Sequence, residues 1–411
     1  MVYQYTKNRE LFQRALKVIP QGVPGHLGPS NGCAIPFDAF PVFAERAEGT
    51  YFWDADGNRF IDYMCAYGPN LLGYGDAEVD EAAVRQLRQG NCITSPHRIL
   101  VDFAELLTET TGKDWTFFAK NGNDVTTLAV MTARCATGRS KIVLIKGGYH
   151  GVAPWTQQFG KPGILEEDVA NNIVISWNSA AELEAAIARY PNQIAAFIAA
   201  PYHHPIFADS ELPADGYWQT VRKLCTQHGI VLIIDDIRCG FRLDIAGSDH
   251  YYGFRADLIT FCKALANGYN VSALCGVDSL RDAVSDVFYT GSYWLSAVPF
   301  AAGIACLTKL KRDGIIAKLR TTALKLQSGL RDVAKQHGRE LLITGEPPLW
   351  SMRHTGDDDF YFHQSWVSEC VRRGVFFTNH HNHFLNAAVT DADIAVTLDI
   401  ADEAYKAVAV E

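Results

Sequence analysis

Long apolar runs are missing from this 411-residue chain, and none reaches the ~20 residues that a bilayer-spanning helix needs. Paired cysteines are missing too. The ten cysteines are scattered, with no CxxC pair and no regular spacing, so they read as reduced thiols and not as a disulfide framework. Positive charge is in deficit: 37 Lys and Arg stand against 46 Asp and Glu, a net charge of -9. Such a surface has no electrostatic attraction for nucleic acid or for an anionic membrane. Residues 1–10 are polar and charged and lack the apolar stretch of a secretory signal. There is no internal repeat and no low-complexity linker. What is present is a 48% hydrophobic, 20% charged composition, enough for a large core, at a length that suggests two or three domains. A soluble cytoplasmic protein is expected, with neither nucleic acid nor membrane as partner.

Near the N-terminus, Tyr51-Phe52-Trp53 and Phe60-Ile61 flank Asp54-Ala55-Asp56-Gly57, a hairpin signal. From about residue 100 to 290, short apolar runs alternate with amphipathic helices. Residues 142–146, 173–176, 195–200, 230–235 and 258–262 read as strands, hydrophobic enough to be buried on both faces of a parallel sheet. Residues 180–189 and 217–227 have helical periodicity, the second closed by His228-Gly229. This alternation predicts a three-layer α/β domain. After Pro299 a long helical region, roughly 300–335, precedes weaker strands at 349–352 and 375–378 and a closing helix from Asp391. The expected division is an N-terminal segment (1–60) that joins a smaller α+β domain, a large domain (61–300) and the C-terminal part of the small domain (301–411).

Four features carry chemistry. The apolar run from Ile230 ends in Asp235-Asp236-Ile237-Arg238-Cys239-Gly240-Phe241-Arg242, placing a carboxylate in the crevice where open α/β sheets bind ligands. The next strand ends in Phe261-Cys262-Lys263, and an apolar approach favours the neutral, nucleophilic form of a lysine. Asn121-Gly122-Asn123 opens a helix that runs to about Gly138, offering N–H groups to an anion. Gly147-Gly148-Tyr149-His150-Gly151 presents an aromatic ring on a glycine-rich loop after a strand. Taken singly, each also has an ordinary reading: a surface turn or metal-binding Asp pair, a solvated lysine, simple helix capping.

Taken together and in this order, the four resemble the class III, fold type I aminotransferases that depend on pyridoxal 5′-phosphate (PLP), a family that includes glutamate-1-semialdehyde aminomutase. The likeness runs from about Val18 to Ala407. The family's Asp-Glu-Val-x-x-Gly-Phe-Arg segment matches residues 235–242, its lysine follows 28 residues later, its Asn-Ser-Gly-Thr-Glu-Ala matches residues 120–125, and its Tyr-His-Gly is intact. The resemblance implies a large three-layer α/β/α domain with a mainly parallel sheet plus a smaller α+β domain. It implies that Lys263 carries PLP as a Schiff base and shuttles a proton, and that Asp235 keeps the pyridine nitrogen protonated. Tyr149 and Ile237 would cover the two ring faces, and Asn121, Gly122 and Asn123 would hold the phosphate. Ser292, in Thr290-Gly291-Ser292, would reach the phosphate of a neighbouring subunit, which implies a homodimer with shared active sites. The partners implied are a small-molecule amino donor, such as an amino acid, and a keto or aldehyde acceptor.

Departures from the family bear on substrate. The aminomutase has a carboxylate-binding Arg after its Ile-Pro-Gly-Gly-Val; here residues 19–28 contain none, and Gly28 stands at the matching place. Tyr67 replaces a Trp, and the usual Glu-Pro is Ala200-Pro201, followed by Tyr202-His203-His204. His26, Tyr67 and the Tyr202-His203-His204 run, His203 in particular, are therefore expected to line a pocket of neutral hydrogen-bonding groups, suited to a cyclic, aromatic or hydroxylated ketone. Two other readings stand beside the aminotransferase: an aminomutase, and a catalytically silent PLP-fold or nucleotide-binding protein. Lys263 and Asp235 together speak against silence, and Gly73-Tyr74-Gly75 is too poor a glycine motif for a dinucleotide. In Asn379-His380-His381-Asn382-His383 no carboxylate or cysteine spacing supports a metal, and a pocket wall or polar surface is expected.

Overall fold

The computed structural model describes residues 2–23 and 35–408, so His26 and Gly28 lie outside the described residues. The chain forms two compact units, one comprising Met1–Asp76, Ile206–Ser210 and Ala317–Glu411, the other Ala77–Pro205 and Glu211–Ile316. In the first unit β1 (Ala44–Glu48), β2 (Tyr51–Asp54) and β3 (Arg59–Asp62) form an antiparallel meander. Its second turn is the Asp54–Gly57 hairpin, where Asp54 Oδ1 accepts the N–H groups of Asp56 and Asn58 at 3.0 and 2.8 Å.

The second unit is built on seven strands: β4 (Trp115–Ala119), β5 (Lys141–Ile145), β6 (Asn172–Ile175), β7 (Ile194–Ala199), β8 (Val231–Asp235), β9 (Leu258–Phe261) and β10 (Ser272–Gly276). They lie in the order β4-β10-β9-β8-β7-β5-β6. β10 alone runs antiparallel to both of its neighbours; β6, β5, β7, β8 and β9 pair in parallel. The five apolar runs expected as strands are β5 to β9. The sequence reading does not include β4 or β10, whose pairing depends on a fit between them. Gly276 stands opposite Trp115, and a Cβ there would meet the indole at 2.1 Å. From β5 the chain steps to the outer strand β6 and then crosses to β7 on the other side of β5. The parallel strands therefore deliver their C-terminal loops to one crevice.

The helix Gly122–Thr137 packs across this sheet and ends at Gly138, whose φ of 65° is the left-handed cap conformation. The helical region expected at 300–335 is two helices, Ala297–Arg312 and Ile315–Gln336, separated at Asp313 and Gly314 (φ 60°). The break falls beside the division between the units at Ile316/Ala317, whereas the sequence division is drawn at 300/301. The first helix packs on the helices Ala77–Leu87 and Ile99–Thr111 of its own unit.

The first unit closes with β11 (Leu341–Glu346), β12 (Leu349–His354), β13 (Val375–Phe376) and β14 (His383–Phe384). β13 joins β3 in parallel, and β11, β12 and β14 form a separate sheet. Here the clustered histidines are packing elements. His381 meets Tyr67 edge to face at 5.3 Å, and buried His383 stacks on Trp350 at 5.5 Å. Nearby, His354 lies 2.9 Å from His363 and 2.7 Å from the Tyr405 hydroxyl.

Burial holds His354 and His383 down to about 3, and lowers His363 well below its ordinary value. These rings are neutral in the folded chain, while in the unfolded chain each takes a proton below about pH 6.5. Stability is therefore complete above that value and falls as the pH drops toward 3, by about 1.4 kcal/mol per pH unit for each ring. Urea midpoints measured from pH 7 to pH 4.5 should decline, and His383→Gln should flatten that decline. A decline of unchanged slope in the variant would remove His383 from the account.

Candidate active site

β5, β7, β8 and β9 end at one cavity of about 290 Å³, and the loops that follow them form its walls. Lys263 enters from β9. The four residues of that strand are fully buried, and after Cys262 the chain turns into a short 3-10 segment, Lys263–Ala266. Lys263 has a φ of 35°, in the left-handed region that a non-glycine residue seldom occupies. Desolvation by burial, followed by the Arg238 guanidinium, lowers its ammonium to about 7. Near neutral pH much of this lysine is a free amine and hence a nucleophile.

Asp235 ends β8 and is buried. One of its oxygens lies 2.7 Å from His150 Nδ1; the other accepts the Ile237 N–H at 3.2 Å and the Thr260 hydroxyl at 3.4 Å. With Asp235 as acceptor, Nδ1 of His150 carries the proton. His150 Nε2 is buried with no hydrogen-bond partner among the described residues.

The third wall is the start of the helix Gly122–Thr137. Asn121 caps it: its side chain accepts from Asp124 N–H at 3.3 Å, and Asp124 accepts from Asn121 N–H at 3.1 Å. Gly122 and Asn123 sit in the first turn, where a helix offers their N–H groups no acceptor and its dipole favours an anion. The glycine is needed for close approach, since a Cβ at Gly122 would lie 2.7 Å from the tip of Ile237. The Asn123 side chain is turned away, accepting from Val152 and Ala153 N–H at 2.9 and 2.8 Å. It fastens the loop that carries Tyr149. Gly151 (φ 118°) lets this happen, because a Cβ there would fall 2.5 Å from Asn123 Oδ1. Tyr149 itself lines the cavity and is 58% exposed.

Seven of the expected site residues thus share one cavity: Asn121, Gly122, Asn123, Tyr149, Asp235, Ile237 and Lys263. Of the Tyr202-His203-His204 run, His204 lines it as well, and so do His150, Arg238 and Cys262, to which the sequence assigns no role. Arg238 Nη1 donates to His204 Nδ1 at 3.0 Å and to the His204 carbonyl at 3.2 Å. The signal available in sequence was position, since each follows a strand of the parallel sheet. Other residues are not among those lining the cavity. His203 stacks on Trp177 at 6.0 Å and lines an adjoining small space of about 20 Å³ that shares Tyr149, His150, Ala200 and His204 with the cavity. Ser292 is exposed, and its carbonyl accepts from Cys92 at 3.4 Å. Tyr67 belongs to the other unit, where it meets His381.

An amine of low basicity, a buried carboxyl group and a helix start fit a flat phosphorylated pyridine aldehyde. The amine suits the aldehyde, the carboxyl suits the ring nitrogen and the helix start suits the phosphate. Comparison with known proteins agrees: residues 34–401 match the class-III aminotransferases. The chain belongs to that family.

This class-III aminotransferase is 39% identical over 404 residues to the aminopentol aminotransferase of Sphingopyxis macrogoltabida, covering 98% of this chain and 94% of that one. It is 30% identical over 401 residues to the 3-aminobutyryl-CoA aminotransferase of Cloacimonas acidaminovorans, covering 96% and 95%. The solved PLP internal aldimine form of the FumI protein of Sphingopyxis sp. MTA144 superposes with a TM-score of 0.93 at 38% identity, covering 98% and 97%. The fold is that of the PLP-dependent fold type I enzymes, as the sequence implies. The enzyme uses PLP to move an amino group from a small-molecule donor to a keto or aldehyde acceptor. Among the described residues no helix is long and apolar enough to cross a membrane.

The low basicity of Lys263 is measurable without cofactor. In the apo-aminotransferase, pH-dependent acylation followed by peptide mapping should give Lys263 a reactivity midpoint near 7, where a solvent-exposed lysine responds near 10.5. A midpoint indistinguishable from that of the surface lysines would show that burial does not act on it as described.

Proposed function

We propose that Lys263 binds PLP covalently and that, as a free amine, it carries the proton between the substrate carbon and the cofactor. The observation that carries this reading is the sharing of one cavity by Lys263, Asp235 and the capped helix start at Asn121. An amine held to about 7 is matched to proton transfer near neutral pH. Asp235, held by His150, pairs with the ring nitrogen and keeps it protonated, so that bound PLP can accept electrons from the bond broken at the substrate carbon. Gly122 and Asn123 offer the phosphate their N–H groups, and Tyr149 and Ile237 cover the ring.

The substrate pair follows from the same reading. One partner is an amino acid and its keto acid; the other is a neutral, hydroxylated amine and the matching ketone. The relative at 39% identity is named for an aminopentol, and the one at 30% for an aminobutyryl thioester. Neither name describes a free carboxylate, and residues 19–28 here lack the Arg that would bind one. The experiment is a half-reaction screen: PLP-loaded enzyme is mixed with single amines while its visible absorbance is followed. Neutral amino alcohols should discharge the band, and Asp235→Asn should slow the discharge by about 10²–10³. Efficient conversion of glutamate-1-semialdehyde to 5-aminolevulinate with no second substrate would replace this reading by the aminomutase.

The enzyme works as a cytoplasmic homodimer in which Ser292 reaches the phosphate held by the partner subunit. Supporting this, Ser292 sits on an exposed stretch where Phe288 is 91% exposed, with Tyr293 and Leu295 also uncovered, an apolar surface of the kind that a second copy buries. Lys263→Ala chains and phosphate-site Ser292→Glu chains, each inactive alone, should recover activity when reassembled as mixed dimers. Mixed dimers that stay inactive would restrict Ser292 to its own chain.

A further inference from the structure

One edge of bound PLP has no partner among Lys263, Asp235 and the helix start. In PLP the ring nitrogen and the aldehyde carbon stand opposite one another. The 3-oxygen and the phosphate arm flank the aldehyde carbon on opposite edges. With Asp235 at the nitrogen, Lys263 at the aldehyde and Asn121–Asn123 at the phosphate arm, the 3-oxygen edge meets the rest of the wall. Besides the glycine-rich loop from Tyr149 to Val152 and Cys262 next to Lys263, that wall is Ala200 and His204 from the loop after β7, and Arg238 from the turn after β8.

Ala200 has nothing polar to give there. The guanidinium of Arg238 is not a loose surface group: Nη1 is pinned by both the ring nitrogen and the carbonyl of His204, at 3.0 and 3.2 Å. Because Arg238 is always a donor, His204 Nδ1 is the acceptor and the ring is neutral. Burial and the guanidinium both press His204 the same way, well below its ordinary value. Arg238 is therefore the cation of this wall, and it lies near enough to Lys263 to act on that amine.

We propose that Arg238, positioned by His204, faces the 3-oxygen of bound PLP and holds it as the phenolate. The proposal rests on the assignment of Lys263, Asp235 and the helix start made above, and gives this chain an electrostatic control on its own cofactor. A cation beside the phenolate favours loss of the proton from the lysine–cofactor linkage, because the deprotonated form is the more negative one. The titratable groups around the guanidinium are Lys263, Asp235, Cys239, Tyr149, Tyr202 and His204. In Arg238→Met all but the guanidinium are retained, so the shift reports the guanidinium itself.

The test is a pH titration of the visible absorbance of the PLP-loaded enzyme. Arg238→Met should raise the midpoint by about 1–3 pH units. Arg238→Lys, which keeps the charge, should move it less, and His204→Ala, which removes only the holder, should give an intermediate rise. If Arg238→Met does not retain PLP, the His204→Ala titration decides alone, and an unmoved midpoint there overturns the proposal. An unmoved midpoint in Arg238→Met, with KM for the keto acid increased, would show that Arg238 binds the substrate carboxylate instead. If Lys263→Ala still forms the covalent visible band, the cofactor assignment itself fails, and this proposal falls with it.

Discussion

The 2.7 Å contact between His150 and Asp235 ties a loop to the end of a strand that the sheet only brings near it. Asp235 is fixed by β8, a strand without an exposed residue. His150 belongs to a glycine-rich loop after β5 that has no regular structure to hold it. Linking the two makes the irregular wall inherit the register of the strand. It also leaves a buried carboxyl group with partners, which removes most of the penalty of placing it there. The rest of the loop is fastened consistently with this. Thr126 donates to the His150 carbonyl at 2.8 Å, and Asn123 accepts two N–H groups just beyond. Both residues lie in the first turns of the helix whose N-terminus faces the cavity. The element that suits an anion therefore also positions the aromatic wall.

Small residues set the distances in this arrangement. Gly122 admits the tip of Ile237, and Gly151 admits the Asn123 side chain, each at a separation no Cβ tolerates. In the sheet, Gly276 makes room for Trp115 in the same way. A methyl group at Gly122 would push Ile237 out of its place in the cavity wall, whereas one at Gly276 would separate β10 from β4. The same physical device shapes the cavity wall in one case and permits sheet pairing in the other.

How much of this is legible in the sequence follows from what each feature depends on. β5 to β9 are visible because a doubly buried strand must be apolar throughout, and such runs stand out. β10, Ser-Ala-Leu-Cys-Gly, is not, since its partner supplies the bulk. The break between Ala297–Arg312 and Ile315–Gln336 hides inside a helical pattern, since one Asp-Gly pair is a weak punctuation mark. The places of Lys263, Asp235 and Asn121–Asn123 at strand and helix ends are legible because the apolar runs and the Asn-Gly-Asn helix start mark those ends. The pairing of His204 with Arg238 is not, because it joins two loops 34 residues apart. Nor does sequence distinguish His203 from His204. Adjacent residues on an extended stretch face opposite ways, and the choice belongs to the tertiary structure.

Charge is the remaining constraint. The cavity places two cationic side chains, Lys263 and Arg238, against one carboxyl group, Asp235. Burial and Arg238 work against the proton on Lys263, while Asp235 works for it, and the first two prevail. The amine gives way because its proton can leave, whereas a guanidinium keeps its charge at any pH a protein survives. The fixed charges left are then a guanidinium and a carboxylate, with the positive end of a helix dipole added at Gly122. A phosphorylated ligand brings about two negative charges. It enters a site where one fixed cation, one helix start and one neutral nucleophile await it. The charge that Arg238 withholds from Lys263 thus serves twice: it frees the amine before the cofactor arrives and opposes the cofactor's negative charge afterwards.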